Sequence, residues 1–420
     1  MKILWVKANK ILPVHSGGDL RSFNILRQLA ANDDVTFFSY YDGPVDADYE
    51  REVQGQLPGA ICVSMGRNPN SAVARGIDYL TRLPQAAPYA VSRFAAGTVR
   101  SRLERCLSEK KPDVLVLDFL DAAIHFPKLP PVPAVLFQHN VESEIWRRHA
   151  NNGSAGLRKM IYGIEFSKML RYEQATVARF DHVIAVSEHD KQLMSAWVDP
   201  HRVTVVPTGV DTEQYSPAKT AITEKPLAVF VGAMDWEPNV DAVKYFCADI
   251  WPQVRAKIPE ARFRIVGRNP DHRVKALADD SVEVTGRVPS VVEHLQEAAV
   301  VVVPLRVGGG TRLKIYEAMA VGKAVISTTV GAEGLDVQDG TDIVISDTAA
   351  CFSESVARLL QDASDRARLG QAARATAERY GWPFVGARFG EVLRSVVEGS
   401  SKVVPARAKA ENLSDVPLVR

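Results

Sequence analysis

Several things that would fix this chain's surroundings are missing from it. Its four cysteines, Cys62, Cys106, Cys247 and Cys351, lie far apart with no metal-ligand spacing, so they read as reduced, buried thiols in a cytoplasmic protein. No stretch reaches the ~18 consecutive apolar residues of a membrane span, and the apolar start MKILWVKANK is broken by Lys7 and Lys10 too early for a signal peptide. Any membrane role is therefore expected to be peripheral. An excess of one charge is also absent. The 51 Lys and Arg against 50 Asp and Glu leave a net charge of +1, which gives no reason to expect a nucleic-acid partner.

What the 420 residues do contain is an alternation of short apolar runs and helical patterns, enough for two or three domains. Strands are expected at 3–6, 35–40, 113–117, 134–137, 182–186 and 203–206, with a helix over 20–30 and a long basic helical pattern over 155–180. That pattern sets Leu157, Ile161, Ile164 and Met169 among Arg158, Lys159, Lys168 and Arg171. It suits either an ordinary domain helix with a solvated face or a helix lying on an anionic membrane. Residues 207–226, rich in Pro, Thr and Gly and without periodicity, read as a linker. The strand rhythm then restarts at 227–231, 262–266, 282–285, 300–303 and 324–327, with helices over 239–251 and 291–298. Residues 346–379 read as helical, Gly381, Trp382 and Pro383 break the pattern, and a last helix follows over about 385–397. The alternation argues a parallel α/β sheet in each half. The expected domains are 1–206 with the C-terminal helix of about 383–398, and 207–382, leaving 399–420 as a disordered tail.

One stretch carries most of the chemistry. The all-apolar run at 298–303 delivers its end into Gly308, Gly309 and Gly310, and Thr311 can then cap a helix bearing Leu313, Tyr316 and Met319. A helix start behind bare backbone amides is an anion site. Arg312 and Lys314 put positive charge where the helix dipole disfavours it, which makes sense with a phosphate as partner, and Glu317 shares the face of Lys314. Near the N-terminus, Gly17 and Gly18 are either a turn or a second phosphate or sugar contact, with Arg21 either solvated or turned to the ligand. Asp118 follows VLVL, and Gln138, His139 and Asn140 follow AVLF. His139 is thus either a ligand-facing group or a structural histidine bound to loop carbonyls.

Seven stretches together resemble the family 4 glycosyltransferases: HSGGDLRSFNILRQLA, FQHNVESEIW, VVPTGVDTEQYSP, VFVGAMDWEPNVDAVKYF, FRIVGRNP, the long run from VTGRVPS to GAEGL, and YGWPF. The resemblance implies the GT-B fold, two doubly wound Rossmann-like domains facing a cleft, with a C-terminal helix crossing back to the first. It implies transfer of a sugar from a nucleotide-sugar donor with retention of anomeric configuration and without a metal or cofactor. The donor belongs mainly to the second lobe and the acceptor, a glycan or a lipid-linked or small molecule, to the first. By position, Glu317 matches the glutamate that binds the ribose hydroxyls. The amides around Leu313 and Lys314, with Gly309, Gly310 and Thr311, match the diphosphate loop, and Gly17 and Gly18 match the first lobe's glycine loop. His139, with Asn140 beside it, matches the histidine next to the transferred sugar. The resemblance also allows peripheral work at the inner face of the plasma membrane.

Two departures stand out. The family's second glutamate, eight residues before Glu317, is here Gly309, and the Arg/Lys pair after the second lobe's first strand is replaced by Gly232 through Asn239. Arg312 and Lys314, with Arg306 and Arg268, are the expected replacements, because breaking the sugar–phosphate bond builds negative charge that some cation must meet. Other readings of the same pattern are a sugar-nucleotide epimerase, which needs more acid and base groups than one histidine, and a non-catalytic binding protein.

Overall fold

A computed structural model describes residues 1–14, 16–66, 72–152, 157–218, 225–307 and 313–401. The chain forms two compact units, Met1–Pro207 with Gly386–Arg420, and Thr208–Val385.

The first unit is built on seven parallel strands, β1 (Lys2–Ala8), β2 (Asp34–Tyr41), β3 (Ile61–Ser64), β4 (Val114–Asp118), β5 (Ala134–Phe137), β6 (His182–Ala185) and β7 (Val203–Val205), in the order β3-β2-β1-β4-β5-β6-β7. The central strands are near-continuous apolar runs because helices cover both faces of a parallel sheet. The order reverses between β1 and β4, and ligands of such sheets bind beyond the strand ends at that point. The last helix, Trp382–Ser401, belongs to this unit from Gly386 onward. Phe389 packs against Trp5 and Phe137, with ring centroids 5.3 and 5.0 Å away. Gly386 is required there, since a Cβ would stand 2.3 Å from Gln28 Cβ on the helix Gly17–Ala30.

The second unit has six parallel strands, β8 (Leu227–Val231), β9 (Arg262–Val266), β10 (Val282–Gly286), β11 (Val300–Val303), β12 (Ala324–Ser327) and β13 (Val344–Ile345), in the order β10-β9-β8-β11-β12-β13. Its reversal lies between β8 and β11. The backbone is crowded there: a Cβ on Gly267, just past β9, would come within 1.7 Å of Gly232 O.

Some expectations need correction. The first helix begins at Gly17 rather than about residue 20, because Ser16 caps it by accepting from Asp19 N (3.1 Å). The helical region 346–379 is two helices, Ala349–Gln361 and Ala363–Glu378, divided at Asp362, whose side chain caps the second. The helix expected at 239–251 runs from Glu237 to Lys257 with a π-turn, Phe246–Ile250, inside it. The described part of the linker is packed rather than loose: Thr208 and Val210 are buried, and Val210 N donates to Tyr380 O (2.8 Å). Of the cysteines only Cys106 is buried; Cys62 and Cys247 are half-buried and Cys351 is exposed. Residues 399–401, read as tail, close the last helix, and 402–420 lie outside the described residues.

Candidate functional site

In the first unit the sheet reversal gathers a buried polar group. Asp118, the last residue of β4, accepts from Trp5 Nε1 (3.1 Å) and pairs with Lys7 Nζ (3.5 Å), which also reaches Asp19 Oδ1 (3.4 Å). His139 Nε2 lies 2.7 Å from Asp118 Oδ1, and Arg21 NH1 lies 2.8 Å from His139 Nδ1. A guanidinium only donates, so Nδ1 must accept and Nε2 must carry the proton given to Asp118. That fixes the tautomer of a neutral imidazole. The ring is stacked on Phe119 at 3.8 Å and tilted against Phe137 at 4.2 Å. Phe119 holds a φ of +69° to take this place, and a Cβ on Gly18 would strike its ring at 2.6 Å.

Lys7, Arg21, Asp118 and His139 are all buried. Burial alone would raise the Asp118 carboxyl, but Lys7, His139 and Ser22 outweigh it and hold it at about 2. Burial lowers His139 to about 3 in spite of Asp118, and lowers Arg21 to about 10. Asn140 is half-buried and its side chain bonds Glu142, whose carboxyl burial, Asp121 and Glu173 push up to about 8. Glu173 caps the helix Glu142–Asn152 from a distance, accepting from Glu142 N (2.8 Å), Ser143 N (2.9 Å) and Gln138 Nε2 (3.1 Å).

In the second unit, Gly309, Gly310, Thr311 and Arg312 lie outside the described residues, and the helix starts at half-buried Leu313 (Leu313–Ala320). Lys314 in its first turn turns back toward β8. Its Nζ donates to Asn239 Oδ1 (2.7 Å) and lies 4.2 Å over the Phe230 ring. Asn239 is itself fixed by donating to Ala233 O (2.8 Å). Gly232 leaves the room for this, since a Cβ would stand 2.9 Å from Lys314 Nζ and 2.7 Å from Asn239 Nδ2. A cation therefore occupies the end of β8 although no lysine or arginine follows that strand directly. Glu317, one turn on, is half-buried; burial raises its carboxyl, while the Tyr215 hydroxyl and the Lys314 charge act against that rise. Arg306 is engaged elsewhere, paired with Asp241 (2.6 and 3.1 Å) and stacked over Tyr245. Arg268 is exposed beside Asp235. Among the described residues no group of three His, Cys, Asp or Glu side chains is placed to hold a metal ion.

Lys7, Asn239 and Tyr215 were not singled out from the sequence. A lysine inside an otherwise apolar strand, KILWVKA, was the available signal for Lys7. Tyr215 lies in VVPTGVDTEQYSP, one of the stretches that carry the family resemblance, but residues 207–226 read as a linker and gave it no role.

Known proteins resemble this chain in sequence and in fold. Residues 17–214 match the family model described as Glycosyltransferase Family 4, and residues 225–362 match the one described as Glycosyl transferases group 1. A D-inositol 3-phosphate glycosyltransferase of Frankia alni is 27% identical over 234 residues, covering 50% of this chain and 58% of that protein, so the chain spans less than two thirds of its length. Among solved structures, sucrose-phosphate synthase from Thermosynechococcus elongatus superposes with a TM-score of 0.68 at 16% identity, covering 95% of this chain and 99% of the other. The Anabaena protein HepE, solved in complex with UDP, gives 0.66 at 13% identity, covering 94% and 100%. At such identities the likeness is one of fold, the GT-B architecture of two parallel-sheet α/β domains.

Proposed function

We propose that this chain, which belongs to the family 4 glycosyltransferases, moves a sugar from a UDP- or GDP-linked donor to a glycan, lipid-linked or small-molecule acceptor, with retention of anomeric configuration. The observation that carries the reading is the Lys314 ammonium, held at the end of β8 by Asn239 and one turn from Glu317. In this reading Glu317 accepts from the two vicinal ribose hydroxyls, a task suited to a carboxylate. Lys314 and Arg312 meet the charge that grows on the diphosphate as its bond to the sugar breaks. The acceptor hydroxyl attacks the face the diphosphate leaves and gives its proton to the departing phosphate oxygen.

In this reading His139 lies beside the transferred sugar as a neutral group: its nitrogens are partnered by Arg21 and Asp118, burial keeps it uncharged well below pH 6, and it aims Arg21. The UDP bound by HepE makes UDP-sugars the first donors to try. We further propose peripheral association with the inner face of the plasma membrane; among the described residues no helix is long and apolar enough to cross one.

The test is incubation of the full chain with UDP- and GDP-sugars, following nucleoside diphosphate release and the anomeric proton coupling of the product. Release with the donor's configuration kept in the product is expected. An inverted product, or an epimerised donor with no release, would overturn the reading.

A further inference from the structure

The helix Ala72–Arg82, AVARGIDYLTR, half-buries Ala74, Asp78, Tyr79 and Arg82 and leaves its large aliphatic side chains in water. Val73, Ile77 and Leu80 fall at i, i+4 and i+7 and so share one face. They are 72%, 58% and 64% exposed. The inward face is held by other groups. Arg82 Nε donates to Asp78 Oδ1 (2.9 Å), Arg82 also donates to Ser92 O, and Tyr79 meets Tyr89 edge-on at 5.3 Å. An ordinary surface helix does the reverse.

The long helix Leu157–Arg179 adjoins it. Lys168 Nζ donates to Leu83 O, just past the inverted helix, and Glu165 Oε2 accepts from Tyr89 N (2.7 Å). One position round from these contacts, Met160 and Ile164 are 59% and 37% exposed. Single exposed apolar side chains are normal; three on one face of one helix, with two more exposed on the neighbouring helix, call for a partner.

The charge around that surface says which partner. Lys159 and Arg171 of the long helix and Arg75 of the shorter one are exposed, while Lys168 and Arg82 are taken up by the inward contacts above. Glu165 is buried and Asp78 is tied to Arg82, so neither shields the outer face, where Lys159 and Arg171 are exposed. A second copy of the chain would bring the same positive rim against this one. An anionic bilayer complements both features, since apolar side chains enter the acyl boundary while basic ones meet lipid phosphates.

We infer that the helix Ala72–Arg82 docks the first unit on an anionic membrane surface, with Val73, Ile77 and Leu80 entering it and Lys159 and Arg171 at the headgroups. The inference deepens the peripheral association proposed above and does not depend on sugar transfer.

Sedimentation of the full chain with vesicles tests it, using phosphatidylcholine alone and phosphatidylcholine with about 30% phosphatidylglycerol. Binding to the anionic vesicles, weakened by about 0.5 M salt, is expected. Ile77→Glu with Leu80→Glu changes exposed positions only, so the melting temperature should hold while the partition coefficient falls about tenfold or more. Lys159→Glu with Arg171→Glu should lower binding to the anionic vesicles selectively. Three results would overturn the inference: a chain left in the supernatant with both vesicles, a doubly glutamate-substituted chain that binds like wild type, or a wild-type dimer that the same substitution splits. Nucleotide release by the Ile77→Glu/Leu80→Glu chain is expected to match wild type, so failure of docking and failure of the transferase reading are told apart.

Discussion

Lys314→Met removes the ammonium at the end of β8 and keeps an unbranched apolar stem against Phe230. In the folded protein the change removes the hydrogen bond to Asn239 Oδ1 at 2.7 Å and the ammonium over Phe230, each worth about 1 kcal/mol, which should not unfold a unit of this size. In the reaction it should matter much more. Two unit charges about 4 Å apart interact by roughly 4 kcal/mol at an effective dielectric of about 20. Removing one preorganised donor from a developing anion typically costs about 3 to 4 kcal/mol. The expected result is a fall of about 10²- to 10³-fold in kcat. The Kd for the nucleoside diphosphate should rise less, because the charge on the leaving group is greatest as the bond breaks. Steady-state donor turnover and calorimetric titration with UDP and GDP measure the two sides, with thermal unfolding as the control. A substituted chain whose kcat stays within about threefold of wild type at unchanged stability would refute the assignment, since no charge-assisted contact in the transition state is that weak.

Acid stability tests the buried polar group of the first unit. His139 at about 3 sits below its unfolded value of about 6.5, so the unfolded chain binds a proton that the native one refuses, and stability is lost as pH falls through that window. His125 and His182, lowered by burial to about 4, act in the same sense. Asp118, at about 2, adds a further loss only as pH falls below about 4. Urea midpoints between pH 6 and 5 should therefore drop steeply, and His139→Asn should flatten the slope by about 1.4 kcal/mol per pH unit; an unchanged slope would count against a neutral, buried His139. Tyr215→Phe should raise the donor KM about five- to tenfold by freeing Glu317, with kcat little changed. Gly267→Ala should destabilise the second unit by about 3 kcal/mol, because its Cβ would collide with Gly232 O, and equal melting temperatures would contradict that crowding.

The sheets were legible because central strands of a parallel sheet are apolar on both faces, as in VVVV of β11 and AVLF of β5. β3 and β13 were not. The first is a half-buried edge strand with a cysteine and a serine in it, and the second is two residues long. Within the candidate site, the pattern at Lys314 and Glu317 pointed to an anion, but which group would receive the Lys314 ammonium could not be read. Asn239 is 75 residues away and meets it only because β8 and β11 are neighbours. For the same reason Lys7 looked like an interruption of an apolar run. Its partner Asp118 arrives from β4, the strand hydrogen-bonded to β1. Ser16 and Asp19 did carry a capping signal for the helix at Gly17, masked by the two glycines that usually mark a loop.

In the proposed reaction Glu317 and Lys314 hold a nucleoside diphosphate, with the carboxylate on the ribose. Calorimetric titration of UDP, or GDP if that binds better, against its 2′,3′-dideoxy form tests it directly in wild type and Glu317→Ala. Loss of both hydroxyls should weaken binding to wild type by about 2 to 3 kcal/mol and to Glu317→Ala hardly at all. Equal affinities of the two nucleotides for wild type, or an equal loss in both chains, would place the ribose elsewhere and rule out this role for Glu317.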